Sequence, residues 1–212
     1  MFTGIIEEIG TIAALEPGED SVRLRIECRE TLTGIADGDS IAVDGICLTV
    51  TSFDETSFST FASAETLRCT GLGDKKVGDR VNLEGAMTLA KKMSGHMVQG
   101  HVDGVGRVKA IIPEGESQMW HFTMPERMTK FLVPKGSITV DGISLTVVEI
   151  SGCDFTVAII PKTIEATTFQ YRKPGDSVNL EVDIIGKYVH RFLHPDDNES
   201  IAPINADLTV SK

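Results

Sequence analysis

Two histidines, a cysteine and a serine are the residues of this chain best suited to chemistry. His96 and His101 lie five apart in SGHMVQGH. That spacing matches neither H-x-x-x-H nor any common zinc arrangement, so no metal site is expected. The pair reads either as histidines satisfied by local hydrogen bonds or as functional groups in a Gly-rich turn, where glycine lets backbone and ligand approach closely. The second reading favours His101 over His96. Cys47 in VDGICLTV stands in the same frame as Ser144 in VDGISLTV. Ala86 likewise stands opposite Asp183, and Ser63-Ala64-Glu65 opposite Ile160-Pro161-Lys162. Two pockets of one shape but different polar groups are therefore expected. Thr49, Ser144, Thr146 and Asp183 are short hydroxyl and carboxylate groups suited to a polyol chain, although threonines are also ordinary strand formers. Helix-start amides around 64–67 and 161–164 could donate to a ring carbonyl.

The elements that position these residues come from an internal repeat. Residues 40–50 and 137–147 are identical at nine of eleven positions, and GDRVNLE at 78–84 matches GDSVNLE at 175–181. Both pairings share an offset of 97, as does Glu65-Thr66-Leu67 against Lys162-Thr163-Ile164. Gly4-Ile5-Ile6-Glu7 pairs with Gly100-His101-Val102-Asp103 at an offset of 96. Each copy reads as β. Val22, Leu24, Ile26 and Cys28 alternate with Arg23, Arg25 and Glu27, and Trp120, Phe122 and Met124 alternate in the second copy. The Asp-Gly pairs at 44–45 and 141–142 predict turns between strands. Gly71-Leu72-Gly73-Asp74 reads as a plain turn. The fold class expected is all-β: two tandem six-stranded Greek-key barrels. A short helix interrupts each, begun by the N-cap Ser63 and by Pro161 at a first helical position. Ile184, Ile185, Tyr188, Val189, Phe192 and Leu193 recur at helical spacing up to Pro195, which predicts a terminal helix with an apolar stripe to be covered by its own barrel or, more readily, by other subunits. The tail from Asp196 is polar and expected to be loosely ordered.

The formal charge of −11 disfavours nucleic acid and anionic membrane surfaces as partners. No apolar run approaches the ~20 residues of a membrane span, and no signal peptide is read at the N-terminus. Cys28, Cys47, Cys69 and Cys153 are scattered without framework spacing. The expected compartment is the cytoplasm, with free thiols. There is no Walker A loop, nucleophile elbow or dinucleotide fingerprint, so no cofactor is expected.

Met1-Phe2-Thr3-Gly4-Ile5, VDGICLTV, SGHMVQGH and VDGISLTV together resemble the riboflavin synthase family, of the trimeric duplicated-barrel type, over residues 1–195. The resemblance implies a first lumazine-binding barrel in 1–97, a second in 98–186, and a helix and tail in 187–212 through which a homotrimer assembles. It implies dismutation of two 6,7-dimethyl-8-ribityllumazine molecules, one passing a four-carbon unit to the other, giving riboflavin and 5-amino-6-ribitylaminouracil. Oxidation and reduction then occur between identical substrates. The family's reactive pair meets where one subunit's N-terminal barrel faces its neighbour's C-terminal barrel. Carried over, the N-barrel pocket uses Gly4, Ile5 and Ile6, Cys47, Leu48 and Thr49, and Phe61, Ala62, Ser63, Ala64, Glu65 and Thr66. The C-barrel pocket uses Gly100, His101 and Val102, Lys135, Ser144, Leu145 and Thr146, Ile160, Pro161, Lys162, Thr163, Ile164 and Glu165, with Asp183 on the ribityl chain. His101 is expected to shuttle the proton, with Ser144 and Thr146 positioning the substrate it serves. Cys47 is either a transient nucleophile or a hydrogen-bonding pocket wall, and Phe2 packs beside the paired rings. A complex with lumazine synthase, which makes the substrate, stays open, as does which bound molecule is the donor. Two rivals remain: a lumazine- or flavin-binding antenna protein of the same fold, and a duplicated barrel used only for protein interaction.

Overall fold

The computed structural model describes residues 1–197; the expectation for the polar tail falls almost wholly outside them. Twelve strands form two closed barrels. The first holds β1 (Glu8–Pro17), β2 (Ser21–Glu27), β3 (Ser40–Val43), β4 (Ile46–Phe53), β5 (Ser57–Ser63) and β6 (Arg80–Gly85). The second holds β7 (Gly104–Glu114), β8 (Ser117–Thr123), β9 (Ser137–Val140), β10 (Ile143–Ser151), β11 (Asp154–Ile159) and β12 (Ser177–Val182). All pairings are antiparallel, in the order β1-β2-β5-β4-β3-β6 and its counterpart, which is the expected Greek-key closure. Even the irregularities repeat: the register shifts between Ile12 and Ala14 on β1 and between Val108 and Ala110 on β7. Such shifts let a strand bend around a small barrel.

Alternation places the cores. Leu24 and Ile26 point inward from β2 while Arg23, Arg25 and Glu27 face out. The second core is more aromatic, with Trp120 stacked on Phe169 at 4.6 Å and Phe122 on Phe155 at 5.3 Å. Both Asp-Gly turns form, with Asp44, Gly45, Asp141 and Gly142 all at positive φ. The short helices are α1 (Ala64–Cys69), capped by Ser63 through Thr66 N–H, and α2 (Pro161–Ala166), with proline in its first turn. Gly71–Asp74 closes into a 3-10 turn after α1. Helix α3 (Ile184–Leu193) begins inside the span assigned to the second barrel, because Asp183 caps it by accepting from Ile185 N–H at 2.9 Å. No described helix is long and apolar enough to cross a membrane.

The barrels meet across a polar seam that obeys the repeat. Asn82 Nδ2 donates to Asp141 O and Asn179 Nδ2 to Asp44 O, both at 2.9 Å. Lys75 pairs with Asp44 at 2.5 Å and Arg172 with Asp141 at 2.6 Å. Gly45 and Gly142 touch here: a Cβ on either would lie 2.7 Å from the other's backbone nitrogen. Asp-Gly thus serves the inter-barrel contact as well as the turn.

Candidate active site

The two segments that precede the barrels cross over. Residues 1–6 form one arm and 98–103 the other, and Phe2 and Val98 pair antiparallel between them, with N···O distances of 2.7 and 3.1 Å. Each arm is gripped by a buried glutamate of its own barrel. Glu84 on β6 accepts from Thr3 N–H, Thr3 Oγ1–H and Gly4 N–H at 2.7–2.8 Å. Glu181 on β12 accepts from the backbone N–H groups of Gln99, Gly100 and His101 at 2.8–3.1 Å. Each arm then lies against the other barrel's candidate pocket. Ser144 N–H donates to Gly4 O, and Cys47 N–H to Gly100 O, both at 2.8 Å. Ile6 packs on the second core and Val102 on the first.

This crossing corrects the expected grouping. Gly4, Ile5 and Ile6 belong with Ser144, Leu145 and Thr146 of the C-barrel; Gly100, His101 and Val102 belong with Cys47, Leu48 and Thr49 of the N-barrel. On β4 and β10 the middle residues Leu48 and Leu145 turn into the cores, leaving half-buried Cys47 and Ser144 and exposed Thr49 and Thr146 on the outer face. Two glycines make the contact close enough. A Cβ on Gly4 (φ +76) would sit 2.6 Å from Ser144 Cβ, and one on Gly100 (φ +77) would sit 2.7 Å from Cys47 Cβ. Only a residue without a side chain fits either place.

Within the chain, His101 follows Gly100 beside Cys47, and Ser144 lies with the other arm. The His101 backbone is held by Glu181, and the residue is exposed. The histidine on Ser144 is His96, whose Nδ1 lies 2.7 Å from Ser144 Oγ and whose N–H donates to Thr3 O at 3.2 Å. Burial lowers the His96 pKa, opposed by the negative charges of Asp183 and Glu84. His96 and Ser144 thus form a hydrogen-bonded pair on the C-barrel, with the negative charge of Asp183 acting on His96. The N-barrel has Cys47 and Ala86 in the matched places.

The rest of the expected set falls on three supports. Phe61 and Ile160 project outward at the ends of β5 and β11, 44% and 57% exposed, while Ala62 is buried. Ser63, Ala64, Glu65 and Thr66 follow Phe61, and Pro161, Lys162, Thr163, Ile164 and Glu165 follow Ile160. Glu65 is tied to Arg68, whose hydrogen bond holds its carboxyl below the usual range. The helix-start donors are less available than expected: Thr66 N–H goes to Ser63 Oγ, and the N–H groups of Thr163 and Ile164 go to Ile160 O. Phe2 is fully buried against Ala42, Val98 and Cys47, wedged between the arms.

Lys135 stands at φ +68 in the turn before β9, where the first copy has Gly38 at φ +87. A non-glycine residue there carries strain of about 1–3 kcal/mol, which is a mark of functional positions. We expect Lys135→Gly to leave the melting temperature unchanged or higher while weakening binding of a lumazine analogue; equal loss of both would show the lysine to be structural. The clefts of about 460 and 530 Å³ lie elsewhere, one at the seam beside Lys75 and Arg172 and one between α1 and the β1–β2 turn. Ser144 and Cys47 line neither.

The sequence matches the lumazine binding domain twice, over residues 3–86 and 99–183. It is 45% identical over 194 residues to the riboflavin synthase of Bacillus subtilis (strain 168), covering 92% of this chain and 90% of that one. To the riboflavin synthase of Mycobacterium tuberculosis (strain ATCC 25618 / H37Rv) it is 43% identical over 197 residues, covering 91% and 98%. Among solved structures, LumP complexed with riboflavin superposes with a TM-score of 0.79 at 23% identity, covering 86% of this chain and 99% of that one. LumP complexed with 6,7-dimethyl-8-(1'-D-ribityl) lumazine gives 0.78 at 22%. At these identities the two structures establish the shared fold alone.

Proposed function

The chain belongs to the riboflavin synthase family, and we propose that it acts as a transferase, moving a four-carbon unit between two molecules of 6,7-dimethyl-8-ribityllumazine. The observation that carries this reading is the pair of matched pockets with unlike chemistry, one holding His96, Ser144 and Asp183 and the other Cys47 and His101. A reaction between two identical molecules needs two similar seats and two different tasks.

At the C-barrel seat, Ser144 Oγ is placed to reach the substrate, and neutral His96 takes the proton through it. That proton comes from the methyl on C7, and the resulting carbanion is delocalised into the heterocycle. Asp183 is one residue from α3 and close enough to His96 to stabilise its charged form. At the N-barrel seat, Cys47 Sγ either adds to C7 of the acceptor or walls the pocket, and exposed His101 returns protons. Holding the rings face to face supplies the larger share, since placement alone can contribute about 7–11 kcal/mol. Because both seats open outward, one subunit's N-barrel facing a neighbour's C-barrel would close them. The exposed Tyr188 and Phe192 of α3, at 60% and 80%, are the apolar surface for a homotrimer. The cytoplasm is the proposed location.

Mixing the purified protein with the lumazine distinguishes the alternatives. Riboflavin accumulating over many turnovers supports the synthase; a stoichiometric spectral change supports a ligand-holding antenna protein; no change supports an interaction module. Cys47→Ala should slow turnover and leave analogue binding in place. Complete loss of binding would contradict the assisting role given to Cys47.

A further inference from the structure

The glutamates that grip the two arms are each backed by a lysine that reaches equivalent acids of the two copies. Lys91 Nζ lies 2.6 Å from Glu7 Oε1, 3.2 Å from Glu84 Oε1 and 3.0 Å from Gly85 O. Lys187 Nζ lies 2.6 Å from Asp103 Oδ1, and its charge acts on Glu181 as well, drawing that carboxyl down against the raising effect of burial. Asp103 also receives Val182 N–H at 2.9 Å, the residue next to Glu181. The acids follow the repeat, Glu7 matching Asp103 at an offset of 96 and Glu84 matching Glu181 at 97, whereas the lysines do not: at 97 Lys91 falls opposite Tyr188, and Lys187 reaches the equivalent acids from a different place in the chain. The two lysines sit on unrelated supports, Lys91 in the segment joining the barrels and Lys187 on α3. A clamp kept through such a change of scaffold points to a shared task.

Each clamp holds its own barrel's arm, and each arm lines the other barrel's pocket. We propose that Lys91 and Lys187 are paired positioning residues acting crosswise: Lys91 sets the arm at Ser144, and Lys187 sets the arm at Cys47. The physical basis is that Glu84 and Glu181 are 1% and 2% exposed, so their negative charge needs a partner to persist while accepting several backbone hydrogen bonds. Removing the ammonium leaves two carboxylates facing each other, and the weaker-held component, the arm, moves. Because Lys187 belongs to α3, the seating of that helix is linked to the far barrel's pocket. This inference rests on the functional reading only for its consequence in catalysis.

Backbone hydrogen exchange on the full chain tests it without substrate, so its outcome is independent of whether the enzymatic reading holds. Lys187→Met should speed exchange at Gln99, Gly100 and His101 by roughly ten- to a hundredfold, the loosening of a charge-assisted hydrogen bond. Exchange at Thr3 and Gly4 should stay unchanged. Lys91→Met should give the reverse pattern, and the arginine variants Lys187→Arg and Lys91→Arg should restore protection. Iodoacetamide should alkylate Cys47 faster in Lys187→Met than in Lys91→Met, since Gly100 packs directly on it. Equal loosening of both arms would mean a general loss of stability and would overturn the proposal, as would no loosening in either variant.

Discussion

His96→Gln should lower lumazine turnover by about 10²–10⁴-fold, the range lost with a general base, while an unreactive lumazine analogue still binds. Glutamine keeps a polar group near Ser144 Oγ but cannot take up a proton at neutral pH. The pH dependence gives a second reading of the same group. Burial lowers the His96 pKa from its ordinary 6.5, so the imidazole stays neutral, and competent as a base, to a lower pH than a free histidine. The acid limb of kcat/KM should therefore fall below 6.5. Stability follows the same sign. The unfolded chain protonates His96 first, so its contribution is whole above about 6.5 and is lost as pH falls from there through the folded value. The unsubstituted protein should lose melting temperature over that window more steeply than His96→Gln. An undiminished rate in the variant would remove His96 from the reaction.

Gly100→Ala should strongly destabilise the chain's active region with a single methyl. Its Cβ would lie 2.7 Å from Cys47 Cβ and 2.9 Å from both Cys47 N and Phe2 Cε2, at φ +77. Conformational strain of about 1–3 kcal/mol adds to overpacking of about 1–3 kcal/mol, so a loss of about 2–6 kcal/mol is expected in denaturant melts. Gly38→Ala is the matched control, at φ +87 with nothing within 4 Å of the added carbon; it should show the conformational part alone. In analogue titrations Gly100→Ala should empty the Cys47 pocket and spare the Ser144 pocket. If the two substitutions cost the same, the close approach of arm and strand is not what holds the pocket.

Much of the architecture was legible because the repeat and the two-residue alternation act locally. The inward Leu24 and Ile26, the Asp-Gly turns, the Ser63 cap and Pro161 in the first turn of α2 all follow from residue chemistry over a few positions. The crossing of the arms was not legible for a definite reason. Gly4 and Gly100 occupy equivalent frames, and the same repeat is satisfied whether each arm lines its own barrel or the other one. The hydrogen bonds of Ser144 to Gly4 and Cys47 to Gly100, with the packing of Ile6 and Val102 on opposite cores, break that degeneracy. The pairing of His96 with Ser144 was not legible either, because the two lie 48 residues apart and no local pattern joins them. One signal was available: the adjacent Gly95, where an added Cβ would lie 2.0 Å from Thr3 O. Glu84 and Glu181 were visible as the last residues of the matched VNLE segments, but an acid at the end of a strand reads as solvent-facing until its three donors are seen. Lys135 carried a clear signal, a lysine where the other copy keeps a left-handed glycine.

Calorimetric titration of the purified chain with a lumazine analogue lacking the C7 methyl tests the twin-seat idea most directly. Two ligands per chain are expected, with Gly4→Ala removing the seat at Ser144 and Gly100→Ala the seat at Cys47. A single ligand per chain in the unsubstituted protein, saturating with no second event, would contradict a reaction of like with like.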